Sequence, residues 1–254
     1  MQAQGGRSQN GLARELRDGV LWLAFDRPRA SNAIDFALAQ SFAAALEGAA
    51  LDPAVGAIVM TGAGDKVFSA GIDIKNPDGI EREALSARRR DTVGTCLSAM
   101  IAFEKPLVAA VNGPAIGLAW MLVLLADHVI ASARASFSLP EIDIGIPTFL
   151  GISIVTRAAG AALAREVVLT GRRVDAEEAK QRGLIARIES AAQFANAAQF
   201  AALALAAKPQ TAYALNKRWL ARGLREEFAA AGAQSEAAQA LLAIHKAAPT
   251  LSSN

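Results

Sequence analysis

Two small-residue segments and one glutamate are the groups in this chain that could do chemistry. Ser69-Ala70-Gly71-Ile72-Asp73 follows an apolar run, and Val111-Asn112-Gly113-Pro114-Ala115-Ile116-Gly117-Leu118 joins an apolar run to a helical pattern. Small residues let a second backbone or a ligand come close. At a helix start the first N–H groups lack partners, and the dipole adds positive charge. Two such loops side by side can hold a developing oxyanion. Ordinary βα turns carry the same pattern, and local sequence does not separate the two readings. Glu141 follows Pro140 and an apolar run, and precedes Ile142-Asp143-Ile144-Gly145. A carboxylate among apolar residues can be buried with a raised pKa, fit for proton transfer. A solvated strand end is the alternative, and it is the favoured reading for Asp143.

These groups need elements to position them. Residues 12–16 and 20–25 read as strands around a turn at Asp18-Gly19, and residues 26–32 as a loop. Residues 36–50 have helical apolar spacing, with Asp35 placed as N-cap. Residues 57–60 form a strand, 67–74 a strand or loop, 81–104 a long helix that starts amphipathic, and 107–111 a strand. A helix over 116–125 and strands over 129–131 and 135–138 follow. Beyond Glu141 the pattern is helical: 150–158, 162–170, 176–182, then an Ala-rich run from 191 interrupted by Pro209. Strands alternating with helices to about residue 190 predict an α/β core. The expected organisation is a disordered N-terminus over 1–10, a core over 11–190 and a helical region over 191–254.

Composition bounds the function. The 254 residues suffice for one sizeable core, with 53% apolar and 20% charged residues. A net charge of +2 points away from nucleic acid, and Arg88-Arg89-Arg90, followed by Asp91, is too short to be a basic tail. One cysteine, Cys96, fits a reducing, cytoplasmic setting and reads as a small buried hydrophobe. Two histidines, His128 and His245, are too few and too far apart for a zinc site. Residues 106–126 carry no charge, but Asn112-Gly113-Pro114 and Gly117 break the run, so no membrane span is expected.

Taken together, the motifs resemble the enoyl-CoA hydratase/isomerase, or crotonase, superfamily. Asp26-Arg27-Pro28-Arg29-Ala30-Ser31-Asn32-Ala33 resembles its first CoA-binding loop, and Phe68-Ser69-Ala70-Gly71-Ile72-Asp73-Ile74 its Ala-Gly-x-Asp motif. The Lys105-Pro106 to Gly117 stretch, Ala126-Asp127, Phe137 and Pro140-Glu141 continue the likeness. So do Leu169-Thr170-Gly171, Ala179 and Gly183-Leu184. The resemblance implies a ββα spiral core with a C-terminal α-helical extension used in a homotrimer or dimer of trimers. It implies an acyl-CoA substrate, with coenzyme A as part of the substrate and no cofactor or metal required. The N–H groups of Ile72 and Leu118 would form the oxyanion hole. Glu141 would carry the proton. Arg29, Ala30, Ser31, Ala70, Asp73 and Ile74 would lie along the nucleotide and pantetheine. Of the basic residues expected near a neighbouring subunit's nucleotide, only Lys246 remains.

One departure narrows the reaction. Hydratases of this superfamily carry a second glutamate early in the helix after the second oxyanion loop; here that position is Met121. Hydration needs a water activated and a proton delivered on one face, and methionine does neither. Moving a double bond from the 3- to the 2-position needs a single base. Gly145-Ile146-Pro147-Thr148-Phe149-Leu150 also lacks the Gly-rich stretch of hydratases and resembles the single-glutamate isomerases. Phe149 stands where dienoyl-CoA isomerases place an aspartate. The expectation is therefore an isomerase. The alternatives are hydration, decarboxylation, C–C cleavage or a non-catalytic acyl-CoA-binding paralogue.

Overall fold

The computed structural model describes residues 8–75 and 79–247. Residues 1–7 of the expected disordered N-terminus lie outside the described residues, while Gln9 and Leu12 exchange backbone hydrogen bonds across a tight turn. Strands β1 (Leu12–Arg17), β2 (Val20–Phe25), β3 (Ala57–Gly62), β4 (Leu107–Val111), β6 (His128–Ser132) and β9 (Arg187–Glu189) form one sheet in the order β1-β2-β3-β4-β6-β9. Only the β1–β2 pair in it is antiparallel. Short strands β5 (Ala115–Ile116), β7 (Ser136–Ser138) and β8 (Val174–Asp175) make a second sheet. Isolated bridges Ser69–Ala115 and Ile34–Ile72 carry that pairing on to the preceding loops.

The inner strands β2, β3, β4 and β6 are covered on both faces, which is why β3 and β4 read as nearly unbroken apolar runs, while edge strands β1 and β9 keep charged residues. Leu23, Phe25, Ile58, Met60, Leu107 and Ala109 point into the main core. Three helices on that side are α1 (Phe36–Leu51), α2 (Arg82–Ala102) and α3 (Leu118–Leu124). Helix α4 (Phe149–Thr170) completes the layer and is kinked at Gly160, the gap between the two helices expected there. After the short α5 (Ala176–Gln181), helix α6 (Phe194–Ala206) covers the other face, against Trp22, Val59, Val108 and Ala110. The Trp22 indole N–H donates to Gln199 Oε1 at 2.6 Å, and Gln199 in turn donates to the Arg17 carbonyl. Pro209 separates α6 from the long α7 (Gln210–Ala247). The Lys217 ammonium of α7 reaches Asp127 at 2.7 Å and the Lys105 carbonyl at 2.9 Å.

Local chemistry explains the boundaries. Asp35 caps α1, its side chain accepting from Leu38 N–H at 2.8 Å, as its position before the helical spacing predicts. Lys105 Nζ gathers the carbonyls of Ala49, Asp52 and Val55 at the other end of α1, within 2.7–2.9 Å. The helix expected over 116–125 instead begins at Leu118. Ile116 is claimed by strand pairing with Ser138, and helix formation waits for Gly117 at φ 57°. Buried Cys96 is fully enclosed, and burial pushes its thiol up to about 12, so it packs as a hydrophobe.

Two buried asparagines tie the loops leaving the ends of β2, β3 and β4. Asn32 donates to the carbonyls of Ala63 and Val67. Asn112 donates to Gly62 and Gly64 and accepts from Gly62 N–H. Asn112→Ala should therefore lower stability by about 2–4 kcal/mol, since two carbonyls and one N–H lose their partner in a dry site. Urea unfolding of both proteins measures this, and a loss under about 0.5 kcal/mol would mean the asparagine does not hold the loops.

Candidate active site

The two small-residue loops meet. Gly71 has φ +81°, and a Cβ there would collide with the Ile116 carbonyl oxygen and lie 3.4 Å from Leu118 N. The backbone at 70–72 thus rests directly on the backbone at 116–118. Hydrogen bonds hold it there. Ile116 N–H donates to Ser69 at 3.1 Å, Ser69 Oγ donates to the Asn32 carbonyl at 2.7 Å, and Gly71 N–H donates to Ser69 Oγ at 3.1 Å. Ile34 N–H donates to Gly71, and Asp73 N–H to Ile34. Between these satisfied groups, the N–H groups of Ile72 and Leu118 have no acceptor among the described residues. Leu118 is also the first residue of α3, where the helix dipole favours negative charge. Two free donors flanking a rigid backbone contact are what an oxyanion hole requires.

Glu141 is brought to the same place by sheet pairing. Strand β7 runs beside β5, Gly117 N–H donates to the Ser138 carbonyl at 2.8 Å, and the chain then turns through a 3-10 helix, Pro140–Ile144. A Cβ on Gly117 would lie 2.8 Å from Glu141 Oε1, so the carboxylate sits against the residue that precedes the Leu118 donor. Glu141 Oε2 is buried with no hydrogen-bond partner among the described residues. Burial raises the Glu141 pKa above the ordinary carboxylate value, and a hydrogen bond from its own backbone N–H opposes this only in part. Asp143, two residues on, is exposed and lies over Gly171 beyond the end of α4, away from this pair of loops.

Met121 lies one turn into α3, 4% exposed. A Cβ at Gly151 would lie 3.1 Å from its Cε and 3.2 Å from Leu139 Cδ1, and would collide with Thr148 Oγ1. The thioether therefore fills an apolar corner closed by the start of α4. Gly151 carries no local signal in the sequence, because Met121 and Leu139, which crowd it, lie on other elements.

The loop before α1 stands beside the first oxyanion loop. Ala70 N–H donates to the Ser31 carbonyl at 3.0 Å, and Ser31 and Asn32 both take left-handed backbone angles after a 3-10 turn at Pro28–Ala30. Arg29, Ser31 and Ile74 are exposed along this seam, with Ala30 and Ala70 half-buried between them. The Asp73 side chain is committed inward. It pairs with Arg27 at 3.0 Å and accepts from Lys75 N–H. Arg27 also pairs with Asp35 at 3.1 Å and donates to the Ala33 carbonyl, an organising role that no single motif residue advertised. For Lys246 only the backbone is described. Among the described residues, no three His, Cys, Asp or Glu side chains gather as a metal set, and no helix is long and apolar enough to cross a membrane.

The backbone contact yields a direct test. Gly71→Ala adds a methyl group that meets the Ile116 carbonyl at an angle disfavoured for alanine, so the two loops must part. A thioester-activating enzyme built this way should lose roughly 10²–10³ in kcat, the usual worth of one oxyanion donor. Steady-state kinetics of the folded variant measures the loss, and an unchanged kcat would show that the contact does not form the hole.

Known proteins resemble this chain in sequence and in fold. The family model described as "Enoyl-CoA hydratase/isomerase" matches residues 15–247. The chain is 39% identical over 178 residues to a "Probable enoyl-CoA hydratase" of Rhizobium meliloti, covering 70% of this chain and 68% of that one. It is 37% identical over 217 residues to the 2,3-dehydroadipyl-CoA hydratase of Escherichia coli, covering 82% and 84%. A solved enoyl-CoA hydratase from Mycobacterium avium subsp. paratuberculosis superposes with a TM-score of 0.78 at 29% identity, covering 94% of this chain and 91% of that one. The α/β core with its C-terminal helices is the crotonase fold, and the chain belongs to the enoyl-CoA hydratase/isomerase family of acyl-CoA enzymes.

Proposed function

We propose that this enzyme shifts a double bond in an acyl-CoA from the 3- to the 2-position, with Glu141 as the single proton carrier. The observation that carries the reading is a half-buried carboxylate against Gly117, its buried Oε2 without a hydrogen-bond partner among the described residues, with an apolar thioether one helical turn further on. Ionised Glu141 takes a proton from C2. The electron pair moves onto the thioester oxygen, where the N–H groups of Ile72 and Leu118 receive the charge. The electrons return with the double bond at C2–C3, and protonated Glu141 delivers its proton to C4. A raised carboxylate pKa suits both halves, because the same group acts as base and then as acid. Two fixed backbone donors supply the charge stabilisation, so the scheme calls for no metal or redox cofactor.

The CoA moiety is assigned to the seam between the two loops, along Arg29, Ala30, Ser31, Ala70, Asp73 and Ile74. Exposed Phe200 (72%) on α6 and Trp219 (67%) and Leu220 (78%) on α7 support a self-assembled trimer or dimer of trimers, which buries such faces. A cytoplasmic setting belongs to the same proposal, and its support is the single, buried thiol of Cys96.

Hydration is the second reading, because the relatives quoted above carry hydratase names. The two readings part at Met121. Product analysis with 3-enoyl- and 2-enoyl-CoA should show isomerisation in the wild type and only slight hydration, with hydration rising in Met121→Glu. Robust wild-type hydration would overturn the isomerase assignment.

Glu141→Gln should lower turnover by roughly 10²–10⁴ while leaving acyl-CoA affinity near that of the wild type. Stability moves the other way. The folded-state pKa of Glu141 is raised, so the protonated form stabilises the fold below the ordinary carboxylate range, and this is lost as pH rises through the folded value. At neutral pH the Gln variant should therefore melt at a higher temperature than the wild type, and the difference should vanish in acid. Melting curves across pH together with kcat check both; turnover within about threefold of the wild type would exclude Glu141 as proton carrier.

A further inference from the structure

The direction of the first proposed oxyanion donor is set by a two-residue backbone pairing. Ile34 and Ile72 form a parallel bridge. Ile34 N–H donates to the Gly71 carbonyl at 2.7 Å, and Asp73 N–H donates to the Ile34 carbonyl at 2.9 Å. The Gly71 carbonyl and the Ile72 N–H belong to one planar trans peptide, in which they point in opposite directions. Holding that carbonyl against Ile34 therefore turns the Ile72 N–H away from Ile34, where it has no acceptor among the described residues. Whatever fixes this bridge also fixes the donor. The Leu118 donor is held differently, by helix α3 and by the Gly117 N–H bond to the Ser138 carbonyl.

One guanidinium grips both partners of the bridge. Arg27 Nη1 donates to the Ala33 carbonyl at 2.6 Å and to the Asp73 carboxylate at 3.0 Å, and Nη2 lies 3.1 Å from the Asp35 carboxylate. Ala33 and Asp35 flank Ile34, and Asp73 follows Ile72. A planar fork of fixed donors can span these groups at once, which a single ammonium cannot. The arginine is itself held. Its backbone N–H donates to Asn32 Oδ1 and its carbonyl accepts from Asn32 N–H. A Cβ on Gly11 would lie 2.6 Å from its Cγ and 2.8 Å from its Cδ, so the chain before β1 closes over its stem. Among the described residues no other cation pairs with Asp35 or Asp73. We propose that Arg27 is a positioning residue for the reaction: its side chain keeps the Ile34–Ile72 bridge in place and so aims the Ile72 N–H at the thioester oxygen. It acts through the backbone and needs no contact with substrate. The inference rests on the oxyanion-hole reading of the site but not on which acyl-CoA reaction follows.

Two ligands separate aim from anchoring. Hexanoyl-CoA carrying ¹³C at the thioester carbon reports the hole through its bound carbonyl stretch, and free CoA reports the rest of the site by calorimetry. In the wild type the stretch should lie below its value in water. In Arg27→Met that shift should shrink by roughly half, the share of one donor in two, and kcat should fall roughly 10- to 100-fold. Affinity for free CoA should stay within about threefold of the wild type. Arg27→Lys keeps a charge between the carboxylates without the fork; it should fall between the two, and it decides the matter if the Met variant does not fold. A folded variant that keeps the full carbonyl shift overturns the proposal, whatever its kcat. A loss of free-CoA affinity as large as the loss of kcat also overturns it, and makes Arg27 an anchor of the CoA seam. A wild-type stretch left at its aqueous frequency overturns the oxyanion-hole reading itself, and this inference with it.

Discussion

The close contact of Gly71 with the Ile116 carbonyl is the constraint on which the site depends. No side chain fits between the two loops, so backbone rests on backbone, with the acceptor-free N–H groups of Ile72 and Leu118 flanking the contact. Preorganisation of this kind is valuable because the donors are paid for during folding and need not reorient when charge develops. It also explains why the two donor residues can be as apolar as Ile72 and Leu118. Their side chains have no chemical duty and are free to serve packing, with Leu118 buried in the core.

The rest of the fold reads as a frame for that contact. Parallel strands β2, β3 and β4 deliver three loops to one edge of the sheet, and Asn32 and Asn112 tie them together through buried amides. The short second sheet adds Ser138 beside Gly117 and so fixes where Glu141 emerges. Arg27 joins the loop before α1 to Asp73, so the seam beside the first donor is anchored from both sides. The carboxylate itself is left unsupported: its buried Oε2 has no partner among the described residues. In the proposed reaction this group takes and returns a proton, and an oxygen left without a fixed partner suits both states.

Much of this was legible in the sequence, for identifiable reasons. Strands β3 and β4 are continuous apolar runs because both faces of the sheet are covered there. Asp35 and Pro209 mark helix boundaries through local chemistry alone, and the glycines at 71 and 117 mark backbone geometries that other residues resist. What escaped was set by partners distant in the chain. Two-residue β5 has no period to detect, so the helical pattern of the sequence runs back through Ile116. Whether Glu141 was a solvated strand end or a buried base depended on β7 pairing with β5, which no local window contains.

Chemistry and fold meet in one proposal: that the backbone N–H groups of Ile72 and Leu118 hold the thioester oxygen. The most direct measurement is the infrared carbonyl stretch of a bound acyl-CoA carrying ¹³C at the thioester carbon, read as a difference against the ¹²C ligand. Two donors from a dry, rigid hole draw electron density onto the oxygen and weaken the C=O bond. The account predicts a clear shift to lower frequency, in a single narrow band, relative to the same ligand in water. A band left at its aqueous position, or broadened without a shift, would contradict it.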